Sequence, residues 1–202
     1  MSRKRIYYLV FFSILVLGFF AALAIAIPGY LKPKWKPIST VQPFAFTSQE
    51  GKTITEKDVF GKVNLVNFFF TTCTGVCPRM NNNLRPVYEK YKSQDDFVVL
   101  SYTCDPSTDS VPLLKRYADS IGADPRKWIF LTGNKDSLYT MARHSYTIDD
   151  PKTVTSELET DFLHSQFIAL VNRQGEVVGV YDGIKSAEMK TMEKALQKLL
   201  KQ

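Results

Sequence analysis

Cysteine and histidine are scarce in this 202-residue chain, which has three of the first and two of the second. So few thiols, odd in number, exclude a disulfide-stapled scaffold, which needs several pairs to stand in for a core. They also make the candidates for a metal or redox site short to enumerate: Cys73, Cys77, Cys104, His144 and His164. No dense basic stripe interleaved with aromatics is present, so nucleic-acid binding is not expected. Part of the net charge of +6 gathers beside one apolar segment, at Arg3, Lys4 and Arg5 before it and Lys32, Lys34 and Lys36 after it. No internal repeat or low-complexity tract interrupts the chain. No cysteine precedes Cys73, which excludes a lipid on a cysteine beside the apolar segment.

That segment, "IYYLVFFSILVLGFFAALAIAI" (Ile6 to Ile27), carries no charge and is long enough to cross a bilayer core as a helix. Two readings compete. Ala24-Ile25-Ala26 resembles a signal-cleavage site, yet the run exceeds the usual length of a signal's apolar region. An uncleaved anchor is the expectation. The basic residues on its two flanks are equal in number, so charge does not orient it. A long domain translocates largely regardless of flanking charge, so the tail (1–5) is expected inside and the domain outside. The absence of a long Arg/Ser-rich presequence favours a bacterial inner membrane, with the domain facing the periplasm.

After the anchor (6–27), "PGYLKPKWKPISTVQP" reads as an extended tether over 28–43, and a folded domain is expected over 44–202. "FAFTSQEGKTIT" alternates about a glycine turn, as a hairpin does. "KVNLVNFFF" and "FVVLSYTC" (Phe97 to Cys104) are nearly continuous apolar runs, the pattern of strands buried on both faces. A helix is predicted over Cys77 to Lys92. "VPLLKRYADSIG" predicts a second, ending at a glycine cap. "WIFLTG" predicts a short strand and "NKDSLYTMARHSY" a helix with Leu138, Met141 and Ala142 on one face. "FIALVNRQGEVVGVYDG" predicts a hairpin turning at 173–176, and "SAEMKTMEKALQKLL" a closing amphipathic helix. The class is α/β with a mixed sheet flanked by helices.

The chemistry concentrates in "TTCTGVCP", Thr71 to Pro78. A cysteine between a buried strand and a helix start meets backbone N–H groups and a helix dipole, both of which favour the thiolate. A second cysteine in the first helical turn points back to the same region, and Pro78 suits an early helical position. Two inert buried thiols are the bland alternative. Thioredoxin-type redox sites have two residues between their cysteines; here Thr74, Gly75 and Val76 intervene. That spacing still closes a disulfide, and it also lets two thiolates converge on one ion. Two thiolates with an imidazole suit Cu(I), and such a set also holds Cu(II) or zinc. His144, in a polar helical context, reads as a surface residue. His164, in "DFLHSQFIAL", stands at the mouth of a strand. Cys104 reads as a small core residue, Asp105 and Asp109 as turn and capping residues, and Met80 as a helix residue rather than a ligand.

"FFFTTCTGVCPRM", "SYTCDPSTDSVPLLKRYA", "LTG" and "DFLHSQFIALVNRQGEVVGVYDG", in that order, resemble the SCO/SenC family of copper chaperones for cytochrome c oxidase. The resemblance spans about Phe44 to Leu200. It implies a thioredoxin-like fold and one copper ion held by Cys73, Cys77 and His164. It also implies a part in assembling the binuclear copper site of an oxidase subunit, by copper delivery, by reduction of that subunit's cysteines, or both. The partners implied are that copper-containing subunit and an upstream copper donor or thiol reductant. Thr74 and Gly75 stand where the family often has Pro-Asp, and Leu163 where an acidic residue often precedes the histidine. A thiol–disulfide oxidoreductase cycling Cys73 and Cys77 is the rival reading. A peroxiredoxin-like peroxidase fits less well, since it expects no second cysteine so close.

Overall fold

The computed structural model describes residues 3–26, 35–148 and 166–202. The chain divides into an N-terminal unit ending at Trp35 and a domain spanning Lys36–Gln202. The first unit contains helix α1, Arg3–Ala26. Phe11, Phe12, Leu15, Leu17 and Phe19 are all exposed on it. It has no polar face to turn to water, which is the pattern of a membrane span rather than of a surface helix. By length and composition, Arg3–Leu23 is able to cross a bilayer.

The domain begins with a short strand, β1 (Ser39–Thr40), followed by the hairpin β2 (Ala45–Ser48) and β3 (Thr53–Thr55). A short helix α2 (Glu56–Val59) leads into β4 (Val63–Phe69). Helix α3 (Val76–Tyr91), β5 (Phe97–Thr103), α4 (Val111–Ser120) and β6 (Trp128–Thr132) follow. Then come α5 (Lys135–Thr140), a π-helical turn (Met141–Ser145), β7 (Phe167–Val171), β8 (Glu176–Asp182) and α6 (Ser186–Leu200). The strands form one mixed sheet in the order β1-β8-β7-β4-β5-β6-β2-β3. β4, β5 and β6 run parallel, and β7 runs antiparallel to β4.

Every residue of β4 and β5 is buried, because helices or loops cover both faces of the sheet. One face carries Phe69 against Tyr117 of α4, and Asn67 against Asn81 of α3. On the other, Phe68 stacks on Tyr102 within a cluster that includes Phe44, Phe46, Leu138 and Tyr146. The α4 helix ends as expected before Gly122, whose φ of +69° is a conformation glycine adopts without strain.

Two expectations need correction. The segment read as a tether as far as Pro43 joins the sheet earlier: Ser39 pairs with Val177 and Thr40 with Glu176. The Ile38 N–H donates to the Val177 carbonyl at 2.7 Å, and Ser39 Oγ donates to the Ser145 carbonyl at 2.5 Å. An exposed β8 edge would otherwise offer unpaired backbone groups. The single helix read over "NKDSLYTMARHSY" changes type at Met141. There the Tyr146 N–H reaches back five residues to the Met141 carbonyl at 3.0 Å, which widens the turn. Ser145, at its end, receives the β1 segment: Gln42 N–H donates to Ser145 Oγ at 3.1 Å. Leu138, Met141 and Ala142 are buried together, as their spacing predicted.

Candidate metal and thiol site

β4 delivers the chain to the site. Past Phe69 it turns, with the Cys73 N–H donating to the Phe70 carbonyl at 3.2 Å, and α3 starts at Val76. Cys73 therefore lies in front of the helix N-terminus and Cys77 in its first turn. The Cys77 N–H donates to Cys73 Sγ at 3.4 Å. The Cys77 thiol and the backbone N–H groups of Gly75 and Val76 lie close enough to stabilise a Cys73 thiolate.

These neighbours split the two thiols apart. Burial opposes ionisation of Cys73, but the donors from Cys77, Gly75 and Val76 outweigh it, and its pKa falls below the ordinary thiol value. Cys77, with only 3% of its surface exposed, is pushed up to about 12 by burial, by its hydrogen bond to Cys73 and by the charge on Cys73. The result is one accessible, acidic thiol backed by a buried, protonated one.

The strand end is braced from below. Asp109 is fully buried. Its carboxylate accepts from the Thr71 N–H at 3.1 Å, from Thr71 Oγ1 through a short hydrogen bond, and from Thr103 Oγ1 at 2.5 Å. Asp109 thus joins the ends of β4 and β5 two residues before Cys73. The expected role of this residue as a helix cap is incomplete: Ser110 occupies the N-cap position of α4, and the Asp109 side chain turns inward. Asp105 is the turn residue it was expected to be, accepting from Ser107 Oγ at 2.6 Å.

A buried polar chain lies under the same loop. Trp128 Nε1 donates to Ser101 Oγ at 2.8 Å, and Ser101 Oγ donates to Asn67 Oδ1 at 2.6 Å. Asn67 Nδ2 donates to Asn81 Oδ1 at 3.1 Å, and Asn81 Nδ2 to the Tyr117 hydroxyl at 2.8 Å. Burial raises the Tyr117 pKa, and the charges of Cys77 and Cys73 raise it further, so the chain ends beside the thiols. Sequence reasoning missed Asn67, Asn81, Tyr117 and the inward turn of Asp109. Asn67 did leave a signal: an amide inside "VNLVNFFF" has to find buried partners.

The other sequence candidates fall as follows. Cys104 is buried in the apolar cluster on the sheet face that carries Phe68, and its carbonyl accepts from the Tyr139 hydroxyl at 3.3 Å. The core-residue reading describes it. His144 is exposed on the π-helical turn. Met80 is buried against Asn67, whose Nδ2 lies 3.9 Å from its sulfur. His164 lies outside the described residues. The strand after it is described: Ile168 of β7 pairs antiparallel with Asn67, so β7 starts at the end of the sheet where β4 stops. That start is held near α3. The Gly183 N–H donates to the Gln166 carbonyl at 2.7 Å, and Asn83 Nδ2 of α3 donates to the Gly183 carbonyl at 2.9 Å. A Cβ at Gly183 would come within 2.7 Å of Met80 Cγ, so the approach requires glycine. Among the described residues no three His, Cys, Asp or Glu side chains gather as a metal cage. The cysteine pair by itself presents two soft donors on one side, which fits a thiophilic ion still needing a further ligand.

The sequence profile of the SCO1/SenC family matches residues 34–201. The chain belongs to the SCO1/SenC family. A SCO1 protein homolog of Bacillus subtilis (strain 168) is 30% identical over 148 residues, 72% of this chain and 75% of that protein. Among solved structures, BsSco superposes with a TM-score of 0.67 at 26% identity, over 83% of this chain and 98% of its own. BsSco is described as having a disulfide switch and as a member of the Sco family of cytochrome c oxidase assembly proteins. Copper-bound ScoI of Arabidopsis thaliana superposes with a TM-score of 0.63 at 25% identity, over 81% of this chain and 99% of its own. The thioredoxin-like fold expected from the family motifs is therefore the fold of this SCO1/SenC domain.

Proposed function

We propose that this chain is a membrane-anchored copper-binding protein that helps assemble the binuclear copper site of cytochrome c oxidase. In this reading α1 holds it in a bacterial cytoplasmic membrane, with the domain in the periplasm. Cys73, Cys77 and His164 hold one copper ion, received from an upstream donor and passed to the copper-containing oxidase subunit. The observation that carries the reading is the cysteine pair at the start of α3, with the Cys77 N–H donating to the Cys73 sulfur. The antiparallel register of β7 against β4 supports His164 as the third ligand, because it brings the strand after His164 to the cysteine end of the sheet. Thiolates are the donors, so binding requires the reduced pair and releases protons.

The same geometry supports a second reading, thiol–disulfide exchange. The acidic Cys73 thiolate attacks a sulfur of a target disulfide and expels one target thiolate. Cys77 then gives up its proton, attacks the Cys73 sulfur and expels the second. Two electrons pass to the target, and a Cys73–Cys77 disulfide remains. Copper stoichiometry of the purified full chain, reduced and oxidised, separates the readings. One copper per reduced chain, none per oxidised chain, and loss in Cys73→Ser and His164→Ala is the expected outcome. A reduced chain that binds no copper yet reduces an oxidised target would leave exchange as the function. Stoichiometric binding by the oxidised chain would refute the ligand set.

A further inference from the structure

Tyr117 takes no part in either reading, yet it stands beside the pair. Its ring centroid lies 5.1 Å from that of Phe69, the last residue of β4, and 5.6 Å from that of Phe130 in β6. Its hydroxyl accepts from Asn81, which follows Cys77 by four residues in α3 and so shares its helix face. The ring thus packs on the strand that enters the cysteine loop, and the hydroxyl is held by the helix that leaves it. The row of hydrogen bonds behind Tyr117 has a direction. Trp128 Nε1 can only donate, so Ser101 Oγ receives there and gives its own hydrogen to Asn67 Oδ1. With Oδ1 taken, Asn67 presents Nδ2 to Asn81 Oδ1, and Met80 Sδ, which only accepts, lies on that same side at 3.9 Å. Asn81 then presents Nδ2 to Tyr117. Each group hands its hydrogen on toward the cysteine end of the row. The hydrogen of the Tyr117 hydroxyl is given to none of the described residues.

We propose that this aligned row biases Cys73 and Cys77 toward the dithiol, with Tyr117 as the positioning residue that presents its positive end to the pair. The inference rests on the reading of the two cysteines as one working pair. The physical reason is the sign of the row. Aligned polar groups polarise one another in a buried place, and here their hydrogens lead toward sulfur. A reduced pair carries negative charge that such an end favours, whereas a disulfide carries none. Both roles proposed for the pair start from the reduced form, so the bias serves copper binding and exchange alike. The direction originates at Trp128 and Ser101, which do not touch the cysteine loop. A change there should therefore reach the thiols through the two asparagines.

The test is the thiol–disulfide equilibrium of the metal-free full chain with dithiothreitol at one fixed pH. Dithiothreitol passes two electrons and two protons to the Cys73–Cys77 disulfide and closes to its own cyclic disulfide. Mass spectrometry of alkylated peptides then reads the ratio of dithiol to disulfide. Tyr117→Phe keeps the ring and removes the last O–H; it should lower that ratio about fivefold, the worth of one polar group. Ser101→Ala, at the far end of the row, releases the asparagine amides and should lower it about twofold. A merely structural role would destabilise the reduced and the oxidised chain equally in denaturant and leave the ratio where it was. That outcome for Tyr117→Phe would overturn the proposal. A shift in Tyr117→Phe with none in Ser101→Ala would overturn the row, because Tyr117 would then act alone. Copper is absent from the measurement, so a reduced chain that fails to bind copper refutes the copper reading and leaves this ratio to be judged by itself.

Discussion

The two ends of β4 treat buried polar groups in opposite ways. At the end that leads to Cys73, Asp109 receives donors from Thr71 and Thr103, and Asn67 is bonded to both Ser101 and Asn81. At the start, Asn64 leaves an acceptor unmet beside an open cavity. A satisfied network fixes atoms, and the roles proposed for the thiol pair, holding an ion or closing a disulfide, need fixed atoms. An unsatisfied acceptor sealed in a cavity wall is a cost with no such return. The contrast predicts that polar-to-apolar substitutions at the two ends differ in sign as well as in size.

The largest effect belongs to Asp109. Asp109→Ala leaves the Thr71 N–H, Thr71 Oγ1 and Thr103 Oγ1 without their common acceptor in a buried place. The expected loss is about 3 kcal/mol in denaturant unfolding, the range for a hydrogen-bonded buried charge. Asp109→Asn, which keeps an acceptor oxygen, should recover part of it. Copper affinity of the reduced chain should fall in Asp109→Ala even below its unfolding transition, because the loop before Cys73 loses its brace. A stability change under 1 kcal/mol would show that the brace carries no weight.

Next in size is the asymmetry within the pair. At neutral pH, iodoacetamide should label Cys73 at least tenfold faster than Cys77, read by mass spectrometry of the peptides. Exposure and ionisation act in the same direction here. The sign of the pH dependence follows. The lowered pKa of Cys73 brings its thiolate fraction to saturation at a lower pH than in an ordinary thiol, so its rate should level off first. Cys77, pushed up to about 12, should still be accelerating at pH 10. Equal rates for the two thiols would contradict the arrangement at the helix start.

Much of this was legible in the sequence, for reasons particular residues make plain. "KVNLVNFFF" and "FVVLSYTC" announce buried strands because both faces of β4 and β5 are covered, so no polar alternation interrupts them. The hairpin turn at 173–176 follows from Gly175, whose φ of +75° few other residues adopt. Other parts leave little trace. β1 consists of two residues and owes its existence to the free edge of β8, far along the chain. The inward turn of Asp109 was hidden because "DPSTDSVP" reads equally well as a run of caps. The pairing of β7 with β4, which bears on His164, is a tertiary fact without a local signature. The cysteine pair was visible because strand, loop and helix meet there within one short stretch.

Cys104 sharpens the comparison from a third position. It is a thiol one residue past β5, yet it lies in the apolar cluster. Cys104→Ala should cost on the order of 1 kcal/mol, as small core truncations do, and should leave copper stoichiometry and the labelling of Cys73 unchanged. Loss of copper at an unchanged melting temperature would move Cys104 into the site.

The smallest effect, and the one with the opposite sign, is expected at Asn64. Leucine branches at Cγ as asparagine does but is larger, and the cavity beside residue 64 has room for the difference. Asn64→Leu removes the bond from Nδ2 to the Lys62 carbonyl, a loss of about 0.5–1.5 kcal/mol. It also removes the unmet Oδ1 and adds apolar surface to a wall already made of Val59, Val66 and Val171. Both gains exceed a few tenths of a kcal/mol each. The balance is a chain as stable as before or up to about 1 kcal/mol more stable, measured by denaturant unfolding. A loss of more than about 2 kcal/mol would mean that Oδ1 already has a partner in the free protein. Asn64 would then be a structural residue like Asn67, and the two ends of β4 would no longer differ.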